Sequence, residues 1–478
     1  MEFEPVIGLE VHVQLNTKSK LFCSCSTEFG AEPNVNTCPV CMGYPGVLPR
    51  LNREALRKAI MIGLALNCNI AEYTKFDRKS YFYPDLPKGY QISQYDMPLN
   101  YEGYLEFEMP DGRIKKVRII RAHLEEDAGK LIHSETGNES YVDLNRAGVP
   151  LVEIVSYPDI FSVDEAYYYL QTLRNTMKYI GVSDVNMEEG SLRVDANVSV
   201  RQKGSDKLGT KVEIKNMNSF NFLRRAIEYE IKRQISIIEK GGTIVQETRL
   251  FDVESGKTFT MRTKEEAEDY RYFPDPDLPP VFVPRELVES LKSSLPELPF
   301  QRYNRFVKEY GLPKYDAQIL TEDKNLADYF ESAIKNFKGE PKKISNWIMS
   351  EVLRYLNEHN IDITMFSVKP EYISELLNMV EEDKISIKIA KDVFPEVVRT
   401  GKSPSKIVDE KGLVQVSDTS QIEKVCREVL EQNPAEVEKY KSGKTNVIGF
   451  LVGQVMKKTQ GKANPKLVNE ILAKLLSN

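Results

Sequence analysis

The chain has 478 residues, a formal net charge of −6, 41% apolar residues and 28% charged ones. This is the balance of a globular protein of about three domains. It argues against a general nucleic-acid coat protein but leaves room for one local basic surface. No apolar run approaches the ~20 residues of a membrane span. The N-terminus, MEFEPVIGLEVHVQL, carries acidic residues and then alternates, unlike a secretory signal, so the expected compartment is cytoplasmic.

Alternation predicts a first strand over residues 6–15. Side chains on a strand point to opposite faces in turn, so Glu10, His12 and Gln14 share one face and Leu9, Val11, Val13 and Leu15 the other. Next come Cys23, Cys25, Cys38 and Cys41, two close pairs separated by twelve residues. Two such pairs joined by a loop are how a chain builds a tetrahedral thiolate site for zinc. Four sulfur ligands leave no open position, so this metal would be structural. The competing reading is four buried free thiols, since cysteine packs as a small hydrophobe. Cys68 and Cys426 stand alone and are expected simply to be packed.

A helix is predicted over 52–66. The loop KSYFYPDLPKGYQISQYD, 79–96, is crowded with tyrosines, prolines and lysines. Its rings with Lys79 and Lys88 could hold a base, a ribose or phosphates, although aromatic residues more often pack. A strand over 117–125 puts Arg121, His123 and Glu125 on one face, and a helix follows over 163–180. A strand over 192–201 puts Arg193, Asp195, Asn197, Ser199 and Arg201 opposite Val194, Ala196, Val198 and Val200. A strand over 210–216 sets Lys211, Glu213 and Lys215 against Val212 and Ile214. Four strands thus bring carboxylates, imidazoles or cations to one side, a donor set suited to Mg²⁺ or Mn²⁺. A wet sheet face with no function remains the plainer alternative for any single strand.

A helix over 219–240 precedes YRYFPDPDLPPVFVP, 270–284, whose five prolines predict a stiff, extended segment. Beyond it the pattern is helical, over 285–293, 299–310, 321–337, 342–359 and 369–380. A loop with Gly401 and Pro404 is expected next, then a tail of helices from about residue 417. From Lys439 onward eight lysines face one acid, Glu470. Lys457 and Lys458 suit a helix C-terminus, but Lys462 and Lys466, across Gly461 and Pro465, fit contact with a phosphate backbone. The expected class is α+β. Its expected divisions are residues 1–292, 293–405 and 406–478.

Three GK[ST] tripeptides occur, but Phe251, Glu396 and Glu438 stand where a phosphate-binding loop requires glycine. There is no G-x-S-x-G elbow, and four histidines form no convincing Ser/His/Asp set. A nucleotide would need another cradle, and ammonia from an amide would have to come from another chain.

IGLEVHVQL with the cysteine pairs, KSYFYPDLPKGYQISQYD, HLEEDAGK, DLNRAGVPLVEIVS, SLRVDANVSVR, KVEIKNMNSF, YRYFPDPDLPP and the tail GKTNVIGFLVGQVMKKTQGKANPKLV closely resemble the B-subunit family of bacterial aspartyl/glutamyl-tRNA amidotransferases. The resemblance runs over essentially the whole chain. It implies a cradle-like catalytic domain, a helical domain and a tail that touches tRNA. It implies a ligase, working with an amidase (A) subunit and a small (C) subunit, that amidates Glu-tRNA(Gln) and Asp-tRNA(Asn). ATP phosphorylates the side-chain carboxylate, and ammonia released in the amidase displaces the phosphate. By motif match, Glu10, His12, Glu125 and Glu213, with Asp195, are the candidate Mg²⁺ and catalytic residues. Lys79, Lys88 and Arg193 are candidates for phosphate or substrate contacts. A metal-dependent RNA hydrolase and a non-catalytic tRNA-binding scaffold are the readings kept against it.

Overall fold

The first strand, β1 (Phe3–Gln14), lies at the centre of a nine-stranded sheet. The structure, a computed structural model, describes residues 2–134, 137–263, 270–414, 419–459 and 463–477. It divides into two compact units, Met1–Arg302 and Tyr303–Asn478. Chain order in the first unit is β1, α1 (Arg53–Ala65), β2 (Asn69–Ile70), β3 (Tyr73–Thr74), β4 (Asp77–Ser80), β5 (Tyr90–Ser93), β6 (Asn100–Glu108) and β7 (Ile114–Glu126). There follow β8 (Lys130–His133), β9 (Ser140–Asp143), β10 (Pro150–Ser156), α2 (Val163–Tyr179), β11 (Leu192–Gln202), β12 (Val212–Lys215) and α3 (Phe220–Glu239). The unit ends with β13 (Glu247–Asp252), β14 (Lys257–Thr263), β15 (Phe273–Pro274), β16 (Val281–Phe282) and α4 (Arg285–Ser294).

The sheet runs β14-β13-β12-β11-β1-β10-β7-β6-β2. Every pairing is antiparallel except β12 with β13. Its apolar face is the one alternation predicts: Leu9, Val11, Val13, Val152, Ile154, Leu124, Ala196, Val198 and Ile214 are buried. Each of the leucine, valine and isoleucine side chains contributes about 1.5–3 kcal/mol on burial. Three helices supply the matching apolar stripes. Asn52 caps α1 by accepting from the amides of Glu54 and Ala55. Gly63 lets that helix approach Asn100, whose amide donates to the carbonyls of Ala59 and Ala122; a Cβ at Gly63 would lie 2.2 Å from the Asn100 Oδ1. Ser162 caps α2 and Ser219 caps α3. Along α3 the buried residues Leu223, Ala226, Ile227, Glu230 and Gln234 follow helical spacing. The proline-rich segment is extended, as expected, and pairs β15 with β4 and β16 with β3.

The second unit is helical and holds two cores. One runs from Phe306 to Val408, with Leu413 packed against it, and the other from Ile422 to Leu476. Two expectations need correction here. The helix expected over 321–337 is present as Lys324–Ile334, started by Asp323 capping the amides of Asn325 and Leu326, but a separate helix before it, Lys314–Thr321, lies outside the expected set. The loop expected before Pro404 contains a helix, Ile387–Thr400, which accommodates Pro395 and ends on Gly401 at φ 68°. Burial of Ala390, Val393, Phe394 and Val397 outweighs the lost proline donor. The tail helices are Thr419–Gln432, Pro434–Lys441, Ile448–Lys458 and Pro465–Ser477; Lys462 and Gly461 lie outside the described residues. Among the described residues no helix is long and apolar enough to cross a membrane.

Candidate active site and cysteine cluster

Strand register assembles the polar face of the sheet. His12 stands opposite Arg193 on β11 and Glu153 on β10, and Glu153 opposite His123 on β7. Two residues back along β1, Glu10 faces Asp195. On the outer side of β11, Asn197 faces Glu213 of β12. Neighbouring strands of one sheet therefore carry the groups predicted from alternation to one side.

Those groups form two neighbouring triads. His12, Glu125 and Glu153 bring one donor atom each to within 4.8 Å of one another, and so do Glu10, Asp195 and Glu213. The five residues predicted at the centre thus share a face but divide between two sets. Glu153 was not among them. An adjacent strand orients most of the carboxylates. The Ser93 hydroxyl donates to Glu125 at 2.9 Å, Asn197 to Glu10 at 2.9 Å, and Thr248 to Glu213 at 2.7 Å. Behind Thr248, Arg249 and Thr258 join the buried Glu230 of α3, which ties the outer strands to the helix layer.

Electrostatics separate the two sets. Buried His123 places its Nε2 3.2 Å from Glu153 and 3.4 Å from Glu125. Burial disfavours its charge, but the two carboxylates outweigh burial and raise its pKa to about 9. Glu153 is correspondingly held well below the usual carboxylate range: burial opposes this, and His123, His12 and Lys79 overcome it. Glu10 is pushed up, first by burial and then by the charges of Glu153 and Glu213. Such a set of crowded carboxylates favours a cation.

Two adjoining polar cavities open here, of about 360 and 420 Å³. His12, Lys79, Asp195 and Lys215 line both. The Lys79 ammonium lies 4.6 Å from the Tyr270 ring centre and 5.8 Å from that of Tyr81, and it makes no ion pair among the described residues. Burial lowers its pKa, but Glu125, the Tyr272 phenol and Glu153 raise it overall. Tyr270 packs edge-on to Tyr81 and Tyr272, and Tyr272 stacks on the half-exposed Tyr95 with ring centres 4.2 Å apart. Arg193 lines the second cavity and pairs with buried Asp127 at 2.7 Å, an acid that also accepts from Gln14. Lys88 is elsewhere: it pairs with Glu126 in a smaller cavity beside Lys20 and Cys41.

The four cysteines form the third metal-compatible group, with sulfurs within 4.8 Å of one another and no disulfide. A tetrahedron of Zn–S bonds near ~2.3 Å sets its sulfurs ~3.8 Å apart, inside that limit, so the donor set fits zinc. The Cys41 sulfur accepts from the Cys38 amide at 3.2 Å and lies 3.5 Å from the Lys20 ammonium, which is wholly buried. Its thiol is pulled down to about 4, first by the hydrogen bond with Cys23, against burial, and then by the Cys38 amide and Lys20. This is a thiolate environment. Cys68 is half-buried against the backbone at Leu66, and Cys426 belongs to the core of the tail. In that tail Lys458 pairs with Glu428 and Lys439 with Glu436.

Comparison with known proteins matches residues 5–289 to the GatB/GatE catalytic domain and residues 328–476 to the GatB domain. The B subunit of the aspartyl/glutamyl-tRNA(Asn/Gln) amidotransferase of Persephonella marina is 61% identical over 476 residues, covering 100% of each chain. The B subunit of the Thermodesulfovibrio yellowstonii enzyme is 58% identical and that of Geotalea daltonii 57%, again with 100% of each chain covered. With polar strands, cysteine cluster and helical tail all inside these matches, the chain belongs to the B-subunit family of the aspartyl/glutamyl-tRNA(Asn/Gln) amidotransferases.

Proposed function

We propose that this chain amidates Glu-tRNA(Gln), Asp-tRNA(Asn) or both as the B subunit of a heterotrimer with an amidase (A) subunit and a small (C) subunit. The observation that carries the reading is the pair of carboxylate triads on one sheet face, with the Lys79 ammonium in the wall common to both cavities. The side-chain carboxylate of the misacylated tRNA attacks the γ-phosphorus of ATP, giving an acyl phosphate and ADP. Ammonia then displaces phosphate and leaves the amide.

A carboxylate is ionised at neutral pH, so the first step needs no general base. It needs an anion to approach a polyanion, which is a matter of positioning and charge neutralisation. The triads of His12, Glu125 and Glu153 and of Glu10, Asp195 and Glu213 are the residues to hold Mg²⁺, which when bound supplies neutralisation of the transferring phosphoryl group. Lys79, fixed between tyrosine rings, offers a cation to phosphate or substrate carboxylate. Arg193, oriented by Asp127, offers a second from the adjoining cavity. Lys88, paired with Glu126 away from the triads, contributes least to this step.

Zinc at Cys23, Cys25, Cys38 and Cys41 keeps the loop after β1 in shape and takes no part in the chemistry. The first unit, to Arg302, acts as the catalytic cradle, the core from Phe306 to Val408 as a helical domain, and the core from Ile422 to Leu476 as the tRNA-contacting tail. The test is ATP hydrolysis by the reconstituted complex with and without Glu-tRNA. Hydrolysis that depends on charged tRNA supports the reading. RNA cleavage by this chain alone without ATP would establish a metal-dependent hydrolase. Full amidation after replacement of the triads would leave only a scaffold.

A further inference from the structure

Lys215 ends β12 on the same face as Glu213, two residues before it. One step beyond the paired residues Ala196 and Ile214, it also meets Asp195 on β11. Its ammonium lies 2.6 Å from Asp195 Oδ2 and 3.0 Å from Glu213 Oε1. Two of the three carboxylates of the second triad are therefore already bridged by a cation that belongs to the chain. The third, Glu10, has only the neutral amide of Asn197 as a side-chain donor among the described residues. Of the two bridged acids' oxygens, Asp195 Oδ2 and Glu213 Oε1 are taken by the ammonium and Glu213 Oε2 by the Thr248 hydroxyl, so a divalent ion drawing on this pair competes with Lys215.

The place of Lys215 suggests where it goes when displaced. It lines both cavities, as do Lys79 and His12. Its side chain is about one-third exposed, so its four-carbon stem has open space to turn into. Glu213 has a second anchor apart from Lys215: Thr248 donates to it from β13, and Arg249 ties β13 to Glu230.

We propose that Lys215 is an exchangeable internal counter-ion: it holds Asp195 and Glu213 in the cation-free protein, yields them to the divalent ion, and carries its charge to the phosphates of the incoming nucleotide. This rests on the reading of the triads as a divalent-ion site. The exchange offsets one of the triad's three carboxylate charges before nucleotide arrives. It also makes ion binding and phosphate binding support each other, since the displaced ammonium needs a new anion.

The experiment measures Mn²⁺ binding to the assembled heterotrimer by electron paramagnetic resonance, without ATP or tRNA, alongside ammonium-supported amidation. Lys215→Met should bind Mn²⁺ at least about tenfold more tightly than the unaltered complex, because the competitor is gone. The same variant should lose at least about tenfold in amidation rate and need more ATP for half-saturation. Adding Glu213→Gln to Lys215→Met should abolish the gain in Mn²⁺ affinity, and Lys215→Arg should keep weak binding. A folded Lys215→Met complex whose Mn²⁺ affinity is unchanged or weaker overturns the proposal and makes the lysine an ordinary ion-pair partner. An unaltered complex that binds no Mn²⁺ and amidates without divalent ions overturns the underlying site reading instead.

Discussion

Glu153 stands directly opposite His12 across the ladder between β10 and β1, with its carboxylate 3.9 Å from the imidazole Nε2. It is also the acid nearest His123, and those imidazoles keep it ionised against the pull of burial. Glu153→Gln keeps the shape and removes the negative charge that faces His12 and His123. Amidation driven by ammonium salts should fall by at least ~100-fold, the scale for losing a charged ligand at a phosphoryl-transfer centre. Glutamine hydrolysis in the partner should change much less. Rates within about threefold of the unaltered complex would remove Glu153 from the centre.

That residue also shows where the sequence stops being informative. Glu10, His12, Asp195 and Glu213 are legible because each sits in a strand that alternates cleanly, so period two assigns the face. Glu153 sits in PLVEIVS, where one acid among aliphatic residues reads as the solvent side of an ordinary strand. Only the register with β1 and β7 brings it to the histidines. The division of the acids into two triads has the same origin: it depends on which strands neighbour β1. Lys88 and Arg193 were readable as cations but not by partner, since their acids, Glu126 and Asp127, are adjacent in sequence yet serve different cavities. The Ile387–Thr400 helix was hidden by Pro395, whose cost only tertiary burial overrides.

The cysteine cluster yields a prediction through Lys20. Among the described residues its ammonium has no carboxylate partner, only the Cys41 sulfur and, at 3.2 Å, the Leu144 carbonyl. A fully buried lysine in such company is stabilised when the sulfur is a thiolate. Lys20→Met should therefore weaken zinc retention against a chelator by about 10–100-fold, as for other groups that support metal ligands. Cys38→Ser should lower zinc content and thermal stability, while activity per folded, assembled molecule falls less. The measurements are zinc stoichiometry and a chelator titration followed by thermal melting. Natively purified protein without zinc would contradict both parts.

The tail can be removed along a physical seam. The second core ends with Val408 and Leu413, and the third begins at Ile422. Deleting residues 419–478 should leave the remaining helices folded, weaken tRNA binding and raise the apparent KM for charged tRNA. Each lost phosphate contact should flatten the log-log salt dependence by ~0.7–0.9. Filter binding across a salt series measures this. An unchanged affinity and slope would exclude the tail as a major contact.

Glu125 offers the sharpest test of the chemical centre. It is buried at the end of the polar row on β7, accepts from Ser93 at 2.9 Å, and lies 3.4 Å from His123. In Glu125→Gln the side-chain oxygen can still accept from Ser93, so the fold around β5 and β7 should hold, and melting temperature should change little. What is lost is one negative charge of the triad with His12 and Glu153. Mg²⁺ should bind less tightly, and charge developing on the transferred phosphoryl group should be poorly neutralised. A loss of ~2.7 kcal/mol in transition-state stabilisation corresponds to ~100-fold in rate. The decisive assay supplies the assembled variant with Glu-tRNA, ATP and ammonium salt, which bypasses the amidase. Near-normal Gln-tRNA formation would sink the assignment. Failure with ammonium while tRNA still binds, and partial recovery at raised Mg²⁺, would locate the defect at the chemical steps on the carboxylate, because retained binding excludes docking and the ammonium salt excludes ammonia supply.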